Sequence, residues 1–250
     1  MRSRAGRGLL MMLLLLLPAC TVNIGTGDDR TPTPAPTTTT ASPQASPGQS
    51  GSPSVTEAIG SGNVISESRP VAGFKRVRLR GSGDLLVEQT GVESLTIEAE
   101  DNILPLLRSD VENGQLILGL RPGTRIVTHK PIVYRLTVKE LEGIEGSGSG
   151  SIDAKGLNTD RFSFDGSGSI EVRLAGRADE LELKISGSGE YDGESLTSRR
   201  ARVEVSGSAD VLVNAQDVLD VQLSGSGDVR YAGNPTVAQR VSGSGSVTKK

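Results

Sequence analysis

Cysteine, histidine and aromatic side chains are nearly absent from this chain of 250 residues, which has one Cys, one His, no Trp and only 2% aromatics. A single thiol excludes an intrachain disulfide framework, and so few Cys and His residues starve a zinc or haem site of its usual ligands. Neither a nucleophile elbow nor a metal-protease motif occurs. The glycine-rich stretches lack the lysine and the following helix of a phosphate loop. His129 lies between Pro122 and Pro131 and reads as a surface loop residue. The reading therefore contains no catalytic residue, no metal ligand and no cofactor.

Long apolar runs are lacking too. The stretch Leu9 to Leu17 falls short of the ~20 apolar residues that a membrane-spanning helix needs. Preceded by Arg2, Arg4 and Arg7 and followed by Pro18, Ala19 and Cys20, it has the charged start, short apolar core and small-residue end of a secretory signal. Leu17-Pro18-Ala19-Cys20 resembles the lipobox of bacterial lipoproteins, whose cysteine is acylated and becomes the first mature residue. Residues 1–19 are thus expected to be a signal peptide and Cys20 a lipid attachment site. Cleavage there removes three arginines from 27 basic residues and none of the 30 acids, which leaves the product at −6. An acidic exported chain without a clustered basic face does not suit nucleic acid.

Residues 20–68 are rich in Thr, Pro, Ser and Gly, with Pro32, Pro34, Pro36, Pro43, Pro47 and Pro53 close together. Such a composition buries too little apolar surface to offset its ordering entropy, so a disordered tether is expected. As a random coil, ~45 residues span on the order of 40 Å.

What the remainder has in abundance is a repeat. Gly-Ser-Gly, once Gly-Ser-Ala, recurs with its first glycine at Gly81, Gly148, Gly166, Gly187, Gly207, Gly225 and Gly243, and the last six are 18–21 residues apart. Apolar residues alternate through each unit and stay in phase across the glycines, as in Leu181, Leu183, Ile185, Gly187, Gly189, Tyr191 and in Leu219, Val221, Leu223, Gly225, Gly227, Val229. Period-two alternation denotes strand, and regular self-similarity near 20 residues denotes stacked units. Residues 69–250 are therefore expected to form an all-β, single-stranded β-helix or solenoid-like domain with coils of ~18–21 residues, each holding two or three short strands. The glycines take inward positions. Because Ala209 replaces one of them, a cramped corner explains them better than positive φ, and few aromatics suit a core too thin for large rings. Val111 to Leu116, with its Asn-Gly pair, reads as a hairpin; Ile103 to Leu107 as one helical turn interrupted by Pro105; Ile132 to Val138 as a strand. This irregular part, Glu67 to Glu145, is expected to cover one end of the stack. At the other, the charge of Lys249 and Lys250 is expected to discourage edge pairing.

The ordered series Arg69-Pro70-Val71-Ala72-Gly73-Phe74, Leu79-Arg80-Gly81-Ser82-Gly83-Asp84-Leu85, Asp101-Asn102 and Asn113-Gly114-Gln115-Leu116, followed by serial Ser-Gly-Ser-Gly units, resembles the putative auto-transporter adhesin, head GIN domain family. The likeness spans Pro70 to Val247. It implies an exported, envelope-associated bacterial protein with a β-helix-like fold, and it supplies no catalytic residue.

Two other chemistries compete with a binding role. Gly-x-Gly-x-Asp resembles half the nonapeptide of calcium-binding β-rolls, with Asp84, Asp210 and Asp228 at related positions, but Ser151, Ser169, Glu190 and Ser246 interrupt the series and the second nonapeptide is missing. A polysaccharide-processing enzyme would need a convergent pair of carboxylates, whereas the acids here are scattered along corners. The outward register remains: Ser188, Ser208, Ser226 and Ser244, edged by Asp210 and Asp228, form the candidate binding surface. The expected partners are the membrane, through the lipid, and a glycan or an envelope protein. The anchor is open to test: wild type should partition into detergent and Cys20→Ser should not, and equal recovery of both in the aqueous phase would refute lipidation.

Overall fold

The computed structural model describes residues 56–250, so the signal peptide, Cys20 and the tether as far as residue 55 lie outside the described residues. In chain order the strands are β1 (Thr56–Ile59), β2 (Val64–Arg69), β3 (Arg76–Ser82), β4 (Asp84–Gln89), β5 (Ser94–Glu100), β6 (Leu107–Glu112), β7 (Gln115–Leu120), β8 (Thr124–Val127), β9 (Val133–Val138), β10 (Gly143–Gly207), β11 (Asp210–Gly225), β12 (Val229–Ala232), β13 (Thr236–Gly243) and β14 (Val247–Lys249). One 3-10 turn, Leu104–Leu106 with Pro105 inside it, occupies the place expected for a helical turn. The described part is all-β, and its sheets are open. Its first strands, β1 and β2, begin at Thr56 and not at residue 69. The composition that marks the tether fades before its last residues, and β2 gains a partner in β5 that no local signal announces.

The 65 residues of β10 form one extended run, which at ~3.3 Å per residue would stretch far beyond any small domain if straight. It turns back on itself at glycines. Successive passes lie parallel: Glu190 opposite Asp210, Ser206 opposite Ser224, and Ser224 in turn opposite Ser242. Two ladders result. One runs β6, β7, β3, β10, β11, β13, and the other runs β2, β5, β9, β4, β10, β11, β12, β14. The irregular N-terminal part extends both ladders at one end, where the Asn113-Gly114 turn, both residues at positive φ, joins β6 to β7 as a tight hairpin.

Each corner is built by glycine lying on glycine. A side chain on Gly168 would overlap the carbonyl of Gly148, one on Gly187 that of Gly168, and so on through Gly207, Gly225 and Gly243. The column therefore passes through Gly168, not Gly166. The extra Gly-Ser before it allows two alignments of the same parity, so the slip left the inward and outward faces unchanged. The φ angles correct the sequence reading further. Gly187 and Gly225 stand at +128° and +131°, so this rank needs glycine for backbone conformation as well as for space. Two residues on, Gly189 and Gly227 have no positive φ and are held by space alone, and in that rank Ala209 is accommodated, buried at 1% exposure.

The core follows the alternation, with Leu181, Leu183, Val203, Val205, Leu219, Val221 and Leu223 all buried. Large rings are not excluded from it. Phe162, Phe164, Tyr134 and Tyr191 are buried, because glycine leaves room beside three of them. A Cβ on Gly166 would come within 2.6 Å of the Phe164 ring, one on Gly193 within 2.8 Å of Tyr191 and one on Gly83 within 3.1 Å of Tyr134. The Tyr191 hydroxyl has no hydrogen-bond partner, and its burial pushes the phenol pKa up.

A buried carboxylate fastens the first strand. Glu100, 1% exposed, accepts hydrogen bonds from the N–H groups of Gly62 at 2.7 Å and His129 at 3.1 Å. Burial pushes its pKa up, but the N–H donors of Gly62, His129 and Lys130, together with the His129 ring, outweigh that and hold it below its ordinary value. Asp101 and Asn102 bind Ser61 beside it. The segment joining β1 to β2 is thus clamped from below.

Two outcomes follow. Gly225→Ala should cost about 1–3 kcal/mol, whereas Ser226→Ala, on the outer face, should stay within about 0.5 kcal/mol; equal denaturant midpoints for the two would mean that the corner is not cramped. Because the folded pKa of Glu100 is depressed, its contribution is complete above the ordinary value of 4.5 and is lost as pH falls through the folded value. Glu100→Gln should therefore lower the melting temperature at pH 7, and its gap from wild type should close in acid; a gap independent of pH would show that the carboxylate's charge is not what binds the segment.

Candidate functional site

At a corner whose inner side is closed by backbone, the residues flanking each glycine have only solvent to point into. Ser188, Ser208, Ser226 and Ser244 are all exposed, as are Asp210 and Asp228. Their backbones lock the layers together: the N–H of Ser208 donates to Gly187 O at 2.9 Å, that of Ser226 to Gly207 O at 2.9 Å and that of Ser244 to Gly225 O at 3.0 Å. The structure brings these four serines into one column, and the corrected alignment lengthens it. Ser82, Ser149 and Ser169, which flank Gly81, Gly148 and Gly168, precede Ser188 in the same rank. A second rank, Ser147, Ser167, Ser186, Ser206, Ser224 and Ser242, runs on the other side of the glycines. At ~4.8 Å per layer the seven-membered column extends for roughly 29 Å.

The acidic edge does structural work as well. The Asp84 carboxylate accepts from the Ser151 N–H at 3.1 Å and hydroxyl at 2.7 Å. Asp210 accepts from the Asp228 N–H at 3.2 Å, and Asp228 accepts from the Ser246 hydroxyl at 2.8 Å and N–H at 2.9 Å. Those Ser246 donors hold the Asp228 carboxyl below its ordinary value. The alignment places Glu171, not Ser169, in this rank, since a side chain on Gly189 would meet Ile170. The rank therefore has four acids in succession, Glu171, Glu190, Asp210 and Asp228, of which Glu171 is paired with Arg173. No group of three His, Cys, Asp or Glu side chains close enough to share an ion occurs among the described residues.

A shallow groove of about 460 Å³ lies beside the serines, with Lys184, Glu204 and Arg240 on one side and Ser186, Ser206 and Ser224 on the other. Sequence reasoning missed these charged residues as part of the surface, although their period-two offset from the serines carried the signal. The flanking face is a lattice of alternating charge: Glu180 bridges Arg161 at 2.8 Å and Arg200 at 2.6 Å, and Arg78 binds Glu145. His129 is an exposed loop residue whose Nδ1 stands 3.0 Å from Gly60 O, remote in sequence from the column.

No helix among the described residues is long and apolar enough to cross a membrane. No curated protein matches the chain. Among solved structures it is similar to a putative adhesin from Bacteroides fragilis, 22% identical, with a TM-score of 0.63 over 77% of this chain and 99% of that one. A putative adhesin from Parabacteroides distasonis is 18% identical with a TM-score of 0.53, over 78% of this chain and 100% of that one. A putative lipid binding protein from the same species is 21% identical with a TM-score of 0.49, over 78% and 100%. At these identities the likeness to the two adhesins is one of fold. Residues 73–235 match the family described as putative auto-transporter adhesin, head GIN domain, and the chain belongs to that family.

Proposed function

We propose that this protein is a non-catalytic binding module of the bacterial cell envelope, lipid-anchored through Cys20 on the extracytoplasmic side, in which a single β-solenoid displays the serine column to an extended, repetitive ligand. The solenoid reading is supported by parallel pairing at offsets of 17–20 residues and by glycine over glycine through Gly148, Gly168, Gly187, Gly207, Gly225 and Gly243. Residues 1–19 act as the signal peptide, and the stretch from Cys20 to the first strand acts as the tether. The family name supports a surface role.

The observation that carries the binding reading is the column itself. Hydroxyls repeat at the spacing of the layers beside an open groove, so a glycan chain, or a strand of an envelope protein, meets an equivalent group at each step. Binding energy is then spread over many weak contacts of about 0.5–1.5 kcal/mol each. The charged edge favours a ligand with cationic groups, and that preference is screened by salt.

On a glycan array or in an envelope-fraction pull-down, Ser188→Lys, Ser208→Lys or Ser226→Lys alone should weaken binding several-fold. The triple variant should abolish it with an unchanged melting temperature. A folded triple variant that keeps every wild-type ligand would return the serines to a purely structural role and direct attention to the segment from Arg121 to Lys130.

A further inference from the structure

The two ladders end at the same two places, and at both ends they are open. At one end β6 pairs only with β7 and β2 only with β5; at the other β13 pairs only with β11 and β14 only with β12. Each outer strand leaves one row of backbone N–H and C=O groups without a partner strand among the described residues. Unpaired edges of this kind template pairing with another strand. Apolar side chains accompany them: Val241 on β13 is 44% exposed, although Leu223 and Val205 of the same rank are buried, and at the other end Val64 and Ile65 on β2 are half exposed.

Charge distinguishes the ends. Residues 229–250 hold Arg230, Arg240, Lys249 and Lys250 and no acid. Lys250 folds back onto Glu194 at 2.6 Å, so that lysine does not guard the edge as the sequence suggests, while Arg240 has no ion-pair partner among the described residues. At the opposite end β6 carries Asp110 and Glu112, both more than half exposed and sharing the single guanidinium of Arg108.

The register connects these charges. Asp110 lies opposite Ile117, which is opposite Arg78, which is opposite Glu145. Three residues on from Glu145, the glycine stack carries the column through Asp165 and Lys184 to Glu204, then Gln222 and Arg240. Asp110 and Arg240 are therefore the first and last members of one column. Setting β6 of a second copy against β13, with the columns continuous, places Asp110 beside Arg240 and Glu112 beside Ala238. It brings β2 alongside β14 at the same time. Joining two C-terminal ends would instead oppose arginine to arginine, and joining two β6 ends would oppose acid to acid.

We infer that copies of this chain associate head to tail through their sheet edges, β13 of one with β6 of the next, and that Arg240 and Asp110 fix the polarity and register of the joint. Such a contact is heterologous, so it propagates into a filament unless the rotation between copies closes a ring. The partner is a second copy, because both edges, both apolar margins and the two unlike charges come from this chain alone. The inference does not depend on the serine column.

Directed cross-linking of the full-length chain in membranes tests it. Opposite residues of paired strands lie within the Cα span of a disulfide, about 4.5–5.5 Å. With wild type, which has only Cys20, as the baseline, the double variant Glu112→Cys/Ala238→Cys should give a ladder of dimers, trimers and larger species on non-reducing gels after mild oxidation. Either single variant should give none, and an equal mixture of the two single variants should give a dimer only. In the double-cysteine background Arg240→Asp should reduce the ladder several-fold, Asp110→Arg should do the same, and the two together should restore it. A dimer from Ala238→Cys alone would mean tail-to-tail pairing and overturn the inference. So would a double variant no more cross-linked than wild type, or a ladder indifferent to Arg240→Asp.

Discussion

Everything distinctive in this domain depends on one steric contact, the backbone of a glycine resting on the carbonyl of the glycine one layer away. Any side chain at Gly168, Gly187, Gly207, Gly225 or Gly243 would overlap that carbonyl. The contact draws adjacent layers together at the corner, and the positive φ there lets the chain change direction without interrupting the hydrogen-bond ladder. It also decides where the serines go. With the inward side of the corner occupied by backbone, a residue between two such glycines has one free direction, outward. The strip of hydroxyls and the tight corner are two consequences of one constraint.

The rest of the core adapts to that corner. Aliphatic residues fill the layers away from it, and aromatic rings enter where a second glycine vacates space, as Gly166 does for Phe164 and Gly193 for Tyr191. On the outer face, charges of opposite sign pair both within strands and between layers. Individually such exposed pairs contribute little, about 0–1 kcal/mol. The Glu100 clamp is different in kind, because its carboxylate is buried and neutralised by backbone dipoles, and it joins segments far apart in sequence.

A surface made of equivalent layers has a consequence for recognition. On the proposed binding role, no single residue dominates, since the next layer offers the same group, and affinity grows with the number of layers engaged. The same repetition leaves the first and last layers unsatisfied. In the head-to-tail association inferred above, the side chains placed on those edges set the partner and the direction. Membership of the adhesin-named family agrees with a surface role and specifies neither ligand nor assembly.

The alternation of apolar residues through each Gly-Ser-Gly unit was enough to establish strands, the inward and outward faces, the exposure of Ser188, Ser208, Ser226 and Ser244, and the Asn113-Gly114 hairpin, because a period of two and a two-residue turn are local properties. Three things were beyond it. The passage of the column through Gly168 could not be read, since Gly166 and Gly168 share a parity and only the carbonyl of Gly148 distinguishes them. The positive φ at the corner was hidden by Ala209, which belongs to the neighbouring rank. Nor could the sequence show that Glu100 secures Gly62 and His129, or that Asp110 and Arg240 end one column. Those relations link residues 29 to 130 positions apart, and no periodicity spans the irregular segment between them. Local patterning specifies what each strand is; only the packed chain decides which strand is its neighbour.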